Sequence, residues 1–333
     1  MTAAAMERAT MKAMIHDRYG RPDVLRLDEV ETPELEADAV LVRVRAAALN
    51  KLDWYDLTGV PLLIRAMSRG MLRPKSRLIG HDFAGIVEAV GADVPDFRPG
   101  DEVFGAGDGA IAEYVRAGVR FVAPKPANLT FEEASAVPIA ALTALQGLRD
   151  RAQLEPGQKV LVVGASGGVG TFAVQIAKAF GAHVTALCST RNVEQARVLG
   201  ADDVVDYTRE DITRSGRRFD LVLHVGGRMS WRRCKRMLAP EGKLVVAGAS
   251  GGNRFTGPVS YLGRIKLASW RSSHEVVLFV AKFNRQDLDT LRELLESGRV
   301  KPFVEKVYGL AEAPDALRHL GEGHARGKLV ISV

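Results

Sequence analysis

Cysteine is almost missing from this chain: Cys188 and Cys234 are the only two in 333 residues. Two thiols cannot build a disulfide framework, which fits a reducing compartment. They also exclude a cysteine-rich metal site. Long apolar runs are missing as well, and none reaches the roughly 18 residues that a membrane span needs. Residues 1–10 are alanine-rich, but Glu7 and Arg8 interrupt them and no apolar core of a signal peptide forms. The expectation is a cytoplasmic protein. Net acidity is absent too, since 46 Lys and Arg stand against 40 Asp and Glu, a formal charge of +6. The basic residues are scattered, which argues against a nucleic-acid surface. Their densest group, Arg228, Arg232, Arg233, Lys235 and Arg236, reads as the solvated face of a helix. There are no internal repeats and no low-complexity tract.

What remains is a chain with 47% apolar and 26% charged residues, the balance of a soluble globular protein, and a length natural for two domains. Strand-like runs at residues 12–16, 40–48, 85–90, 102–104, 112–115 and 119–123 are punctuated by Gly, Pro and Asp, as in Arg98-Pro99-Gly100-Asp101. This pattern predicts a small, mostly antiparallel barrel. The texture changes at Thr130-Phe131-Glu132-Glu133, a capping box. A helix is expected from there to Pro138, and a second over residues 142–151. Strands at 159–163, 182–188, 204–206, 221–224 and 243–247 then alternate with helices at 169–180 and 192–199. Unbroken apolar strands separated by helices imply a parallel sheet covered on both faces, the doubly wound α/β dinucleotide fold. A strand at 276–280, a helix at 286–297 and a basic tail follow.

The strongest motif is Val160-Leu161-Val162-Val163-Gly164-Ala165-Ser166-Gly167-Gly168-Val169-Gly170, directly after a buried strand and opening a helix. Gly167 is expected to let the backbone approach a pyrophosphate, and Gly170 to let helix and strand pack closely. Ser166, Gly168 and Val169 complete the turn, whose helix N-terminus offers N–H groups to phosphate. Ala165 stands where such motifs carry their first glycine. An NAD enzyme would place an acid about 20 residues on, at the end of the second strand. That strand ends in Ser189-Thr190-Arg191, with no acid until Glu194. Hydroxyls and a guanidinium suit a 2′-phosphate, so NADP(H) is the expected cofactor.

Six stretches in order now carry a family resemblance over nearly the whole chain. They are Ala46-Ala47-Ala48-Leu49-Asn50-Lys51-Leu52-Asp53-Trp54, Gly80-His81-Asp82-Phe83-Ala84-Gly85, Phe97-Arg98-Pro99-Gly100-Asp101-Glu102-Val103, Ala141-Leu142-Thr143-Ala144, the glycine-rich turn, and Gly323-His324-Ala325-Arg326-Gly327-Lys328. Together they resemble the medium-chain dehydrogenase/reductases, and within them the quinone-oxidoreductase and zeta-crystallin group. The resemblance implies a GroES-like barrel, residues 11–130 and 282–333, interrupted by a Rossmann domain, residues 131–281. It implies that Asn50 and Thr143 line the nicotinamide end, that Tyr207 lies near the adenosine end, and that Gly226, Gly248 and Lys328 approach the cofactor.

The chain departs from the zinc alcohol dehydrogenases of that superfamily. Asn50 stands near where they have a cysteine ligand, Ile139 stands near another, and the four-cysteine lobe is missing. His81 and Asp82 alone fall short of the three protein ligands of a catalytic zinc, so no metal is expected; His81 is read first as a barrel hydrogen-bonding residue. A metal-free site suits hydride delivery to a quinone or an α,β-unsaturated carbonyl compound, a hydrophobic small molecule. Asn50, Asp53, Tyr55 and His81 are candidate donors, with Asn50 and Tyr55 taken as the catalytic pair. The apolar segment 60–74, including Met67 and Met71, is a candidate substrate wall. An enoyl-thioester reductase, an alcohol-dehydrogenase-like enzyme and a non-enzymatic NADPH-binding protein remain alternatives. The apolar strand at 276–280 is expected at the edge of the sheet, where it invites a homodimer.

Overall fold

The computed structural model describes residues 9–62, 65, 70–248 and 255–333. Its first part is a mostly antiparallel assembly. Strands β1 (Thr10–Ile15) and β2 (Arg26–Glu31) pair antiparallel. The central strand β3 (Ala39–Ala48) is followed by helix α1 (Lys51–Thr58), then by β4 (Asp82–Val90), β5 (Glu102–Ala106), β6 (Tyr114–Gly118) and β7 (Val122–Pro124). β3 pairs with β4 along one side and with β6 along the other. Val40, Val42, Val44, Phe83, Val87 and Val103 close the core between them. Some expected boundaries move. The strand read at 112–115 lies at Tyr114–Gly118, and residues Val119–Phe121 form a short 3-10 turn before β7. Helix α1 was not read from the sequence. It starts where the Asp53 carboxylate accepts from the backbone N–H of Asn50 at 2.6 Å, and Gly59 ends it with φ +60°.

The capping box at Thr130 is present, with Glu133 N–H donating to Thr130 Oγ1 at 3.2 Å and Thr130 N–H to Glu133 Oε2 at 3.1 Å. The helix it opens, α2 (Phe131–Ser135), stops before Pro138. Pro138 instead begins α3 (Pro138–Gln146), because proline forfeits no hydrogen bond at the first helical position. A π-helical turn, Gly147–Arg151, carries the chain on to the second part.

The parallel sheet comprises β8 (Lys159–Val163), β9 (His183–Cys188), β10 (Asp203–Asp206), β11 (Phe219–His224), β12 (Leu238–Val246) and β13 (Val276–Leu278). Its order is β10-β9-β8-β11-β12-β13, the dinucleotide-fold order with its switch point beside β8. Helices α4 (Gly168–Ala179) and α5 (Val193–Val198) cover one face. α6 (Trp231–Lys235) and α7 (Pro258–Ser269) cover the other. On α6 the side chains of Trp231 and Cys234 are buried while Arg232, Arg233 and Lys235 face solvent, as the solvated-face reading expected. Helix α8 (Arg285–Glu296) packs its leucines against α3 in the core shared by both parts. Strand β14 (Val304–Gly309), helix α9 (Ala313–Glu322) and strand β15 (Lys328–Ser332) then return the chain to β3. The expected α/β class, a barrel part plus a doubly wound parallel sheet, holds. Among the described residues no helix is long and apolar enough to cross a membrane.

Candidate active site

The candidate cofactor residues cluster where the parallel strands end, on one side of the sheet. The turn after β8 is built as its glycines require. Gly164 takes φ +88°, and a Cβ there would lie 2.9 Å from Gly226 N on the loop after β11. The tight turn thus belongs to Gly164, so the alanine at 165 costs nothing. A Cβ on Gly170 would fall 2.1 Å from the carbonyl oxygen of Gly164, which fixes Gly170 as the close contact of helix and strand. At Gly167 the nearest atom is 3.7 Å away. The backbone there is open to an approaching group, as a pyrophosphate at the head of α4 needs. Gly248, after β12, approaches the carbonyl of Val225 closely.

Ser166 and Ser189 are held as a pair. The buried Asn192 side chain donates to Ser166 Oγ at 2.9 Å and to Ser189 Oγ at 3.1 Å. The sequence reading missed Asn192. It also missed Gln195, whose amide reaches Ser166 O at 3.4 Å and accepts from Arg326 at the same distance. Arg191 donates from Nη2 to the carbonyl of His324. Two guanidinia, Arg191 and Arg326, therefore share a corner with Ser166 and Ser189. Beside them the fold brings an acid that a search along β9 alone overlooks. Asp206, at the end of β10, pairs in register with Cys188. Its carboxylate accepts from the hydroxyls of Thr190 and Thr208 and from Thr208 N–H. Desolvation pushes this carboxyl up, but the bonds from Thr190 and Thr208 together outweigh it and hold the group below its ordinary range. Tyr207 is exposed at the same strand end, its backbone N–H donating to Cys188 O at 3.0 Å.

The barrel reaches this turn through residues 323–328. Gly327 N–H donates to Ser166 O at 2.8 Å, and the stem of Lys328 passes beside Gly168. The Lys328 ammonium then dives into the barrel, where it meets Asn50 Oδ1 at 2.6 Å and Asp82 Oδ2 at 3.3 Å. Asn50 Nδ2 donates to the same Asp82 oxygen at 2.8 Å, and Ile139 N–H donates to Asp82 Oδ1 at 3.1 Å. The side chains of Asn50, Asp82 and Lys328 are all buried. Burial pushes the Asp82 carboxyl up, against the opposing pull of Lys328 and Asn50. Thr143, one turn along α3, spends its hydroxyl proton on Ile139 O at 2.7 Å.

A second cluster adjoins the first. His81 Nε2 lies 2.7 Å from Asp56, its Nδ1 3.1 Å from Asp108, and Asp53 Oδ1 3.9 Å away. Burial disfavours the imidazolium, but Asp108, Asp56 and Asp53 raise its pKa to about 10. Desolvation lifts the fully buried Asp53 carboxyl to about 6. Tyr55 lies half-buried on α1, not in a barrel strand, and burial raises its phenol. Of the candidate wall at 60–74, Pro61 abuts Gly257 before α7, and Met71 is exposed. Met67 falls outside the described residues.

Zinc does not fit this donor set. Asn50 and Ile139 offer no thiolate, Asp82 is occupied by Lys328, Asn50 and Ile139, and His81 has carboxylates at both ring nitrogens. Among the described residues no three His, Cys, Asp or Glu side chains form a group suited to a metal ion. A nicotinamide dinucleotide does fit, along the open turn at Gly167 and the strand ends beside it.

This fold and this cleft define a medium-chain dehydrogenase/reductase, and the chain belongs to that superfamily as a quinone-oxidoreductase-like member. The alcohol dehydrogenase GroES-like domain model matches residues 36–127, and the zinc-binding dehydrogenase model matches residues 199–331. A mitochondrial NAD(P)H oxidoreductase of Bos taurus is 35% identical over 97% of this chain and 89% of its own length. A chloroplastic NADPH-dependent alkenal/one oxidoreductase of Arabidopsis thaliana is 33% identical over 99% of this chain and 82% of its own. The solved quinone oxidoreductase of Coxiella burnetii superposes with a TM-score of 0.86 at 30% identity, covering 98% of this chain and 100% of that one. The protein is an oxidoreductase with a nicotinamide cofactor, which removes the non-enzymatic alternative.

Proposed function

We propose that the protein is a zinc-independent reductase that moves a hydride from NADPH to a quinone or an α,β-unsaturated carbonyl compound. The observation that carries this reading is the closed set of bonds among Asn50, Lys328 and Asp82. It fills, with polar groups already satisfied by one another, the ground where the zinc enzymes of the superfamily hold their metal. When bound, NADPH supplies the hydride. Without a Lewis acid to polarise a simple carbonyl, the acceptor must spread the incoming charge itself, as a quinone or an enone does. The chain's share is alignment, exclusion of water and delivery of a proton.

Asn50 acts by position. Both ends of its amide are held, so the barrel wall that faces the nicotinamide is rigid. Lys328 ties that wall to the glycine turn, because its stem passes Gly168 on the way to Asn50. Tyr55, further along the helix that Asn50 opens, is the proposed proton donor. Like any tyrosine phenol it carries its proton at neutral pH, and burial raises its pKa further. Preference for NADPH is assigned to Arg191, with Ser189 and Thr190 beside it. The division at residues 131 and 281, a homodimer and a cytoplasmic location belong to the same proposal.

The test is NADPH oxidation by chelator-treated protein against quinones, enones, enoyl-thioesters and saturated aldehydes. Turnover of quinones or enones without metal supports the reading. Turnover confined to saturated aldehydes, or restored only by added zinc, refutes it.

A further inference from the structure

On the sheet face opposite α4, three arginines gather around one cavity. The cavity, about 430 Å³, lies between α6 and α7. Arg228 and Arg232 reach it from either side of the start of α6, and Arg264 reaches it from α7. Arg233, on the same helix as Arg232, is neutralised by Asp211 at 2.9 Å. Among the described residues, none of the three cavity arginines has a carboxylate partner. Like charges at one mouth repel one another, and an anion offsets that.

The cavity floor has a different character. Trp231 and Ile265 are buried there, 7% and 2% exposed, and Tyr261 flanks them. Uncommitted donors stand at the same wall. Ser230 is the N-cap of α6 but its hydroxyl makes no capping bond, and the Trp231 indole N–H has no acceptor among the described residues.

We propose that this cavity binds a phosphate ester with a flat apolar body, at a site separate from the dinucleotide cleft. Guanidinium forks match phosphate oxygens two at a time, and the floor of Trp231, Tyr261 and Ile265 takes the ester's apolar part. The buried His224 ring stands between the site and the loop after β12. The Tyr261 hydroxyl lies 3.4 Å from the buried His224 ring, whose other nitrogen lies 3.3 Å from Gly248 O on the loop after β12. The inference does not depend on which acceptor the enzyme reduces.

The experiment is calorimetric titration of phenyl phosphate into the full chain saturated with NADP+, so that the cleft is blocked. Phenyl phosphate is expected to bind, more tightly than inorganic phosphate. Arg232→Gln and Arg264→Gln are each expected to weaken it about tenfold, the scale of one screened charge-assisted contact. Both arginines are exposed, so the variants keep the wild-type Tm. NADP+ affinity should stay within about twofold, as for independent sites. No binding to the saturated protein, or binding unchanged in the double variant, overturns the site. Equal affinity for inorganic phosphate overturns the proposed ligand class.

Discussion

Arg191 and Asp206 stand on either side of Thr190, with opposite consequences for a 2′-phosphate. Asp206 already accepts from Thr190 and Thr208 and pairs with Arg209, so its charge is largely answered. Arg191 is exposed and held only by a carbonyl among the described residues. Arg191→Ala should therefore weaken NADPH by about tenfold, one charge-assisted bond discounted for screening, and leave NADH nearly untouched. Asp206→Asn should shift preference further toward NADPH. Dissociation constants for both cofactors decide this. An equal loss for both in Arg191→Ala would assign Arg191 to the shared pyrophosphate or to the fold. The hydroxyls and Arg191 were legible in the sequence because they sit directly after the second Rossmann strand. Asp206 was not, because it arrives from the neighbouring strand, and only the β9–β10 register places it there.

Gly167 and Gly170 of the turn separate folding from binding at the scale of one strand and one helix. Gly170→Ala drives a methyl into the carbonyl of Gly164 and should cost roughly 1–3 kcal/mol or more of stability. Gly167→Ala meets nothing closer than ordinary contact in the protein. It should keep the wild-type Tm yet weaken NADPH and NADH alike. A Tm loss in Gly167→Ala comparable to that of Gly170→Ala would sink the assignment of the open backbone to phosphate.

His81 does comparable duty for α1, joining Asp53 and Asp56 on that helix to Asp108 on the loop after β5. Its folded pKa lies above the ordinary 6.5, at about 10. The folded state thus binds the extra proton, and this contribution is complete below pH 6.5 and lost as pH rises through about 10. The Tm gap between wild type and His81→Gln should be widest below about pH 6.5 and close as pH approaches about 10. A gap that does not change with pH would mean that His81 acts through packing.

The helix α1 itself was hidden because the sequence signal is one short capping pattern, Asn50 to Asp53, inside a stretch read as barrel. The strands β8 and β9 were plain because both faces are covered, which leaves an unbroken apolar run. Strand β14 was missed because it is a short edge strand that buries only Tyr308 and so offers no alternation to read, and helix α9 because it buries only Ala313, Ala316 and Leu317. The Asn50–Lys328–Asp82 contact spans most of the chain, and no local pattern announces it.

At the scale of the whole molecule, the sheet ends at β13, with Leu267 and Trp270 on and just after α7 and Val280 just past the strand all largely exposed. A single protomer gains nothing from an uncovered edge with apolar neighbours. The wild type should be a dimer by light scattering at micromolar concentration, and Trp270→Glu should shift it toward monomer. A wild-type monomer at that concentration contradicts the pairing.

The central claim is conjugate hydride delivery without a metal, and the position of the transferred hydrogen tests it most directly. A single turnover of chelator-treated enzyme with an α,β-unsaturated ketone and NADPH deuterated at the transferring C4 position, read by NMR of the product, locates the label. The account predicts deuterium on the carbon β to the carbonyl, with the ketone intact. Deuterium on the carbonyl carbon of an allylic alcohol would contradict it.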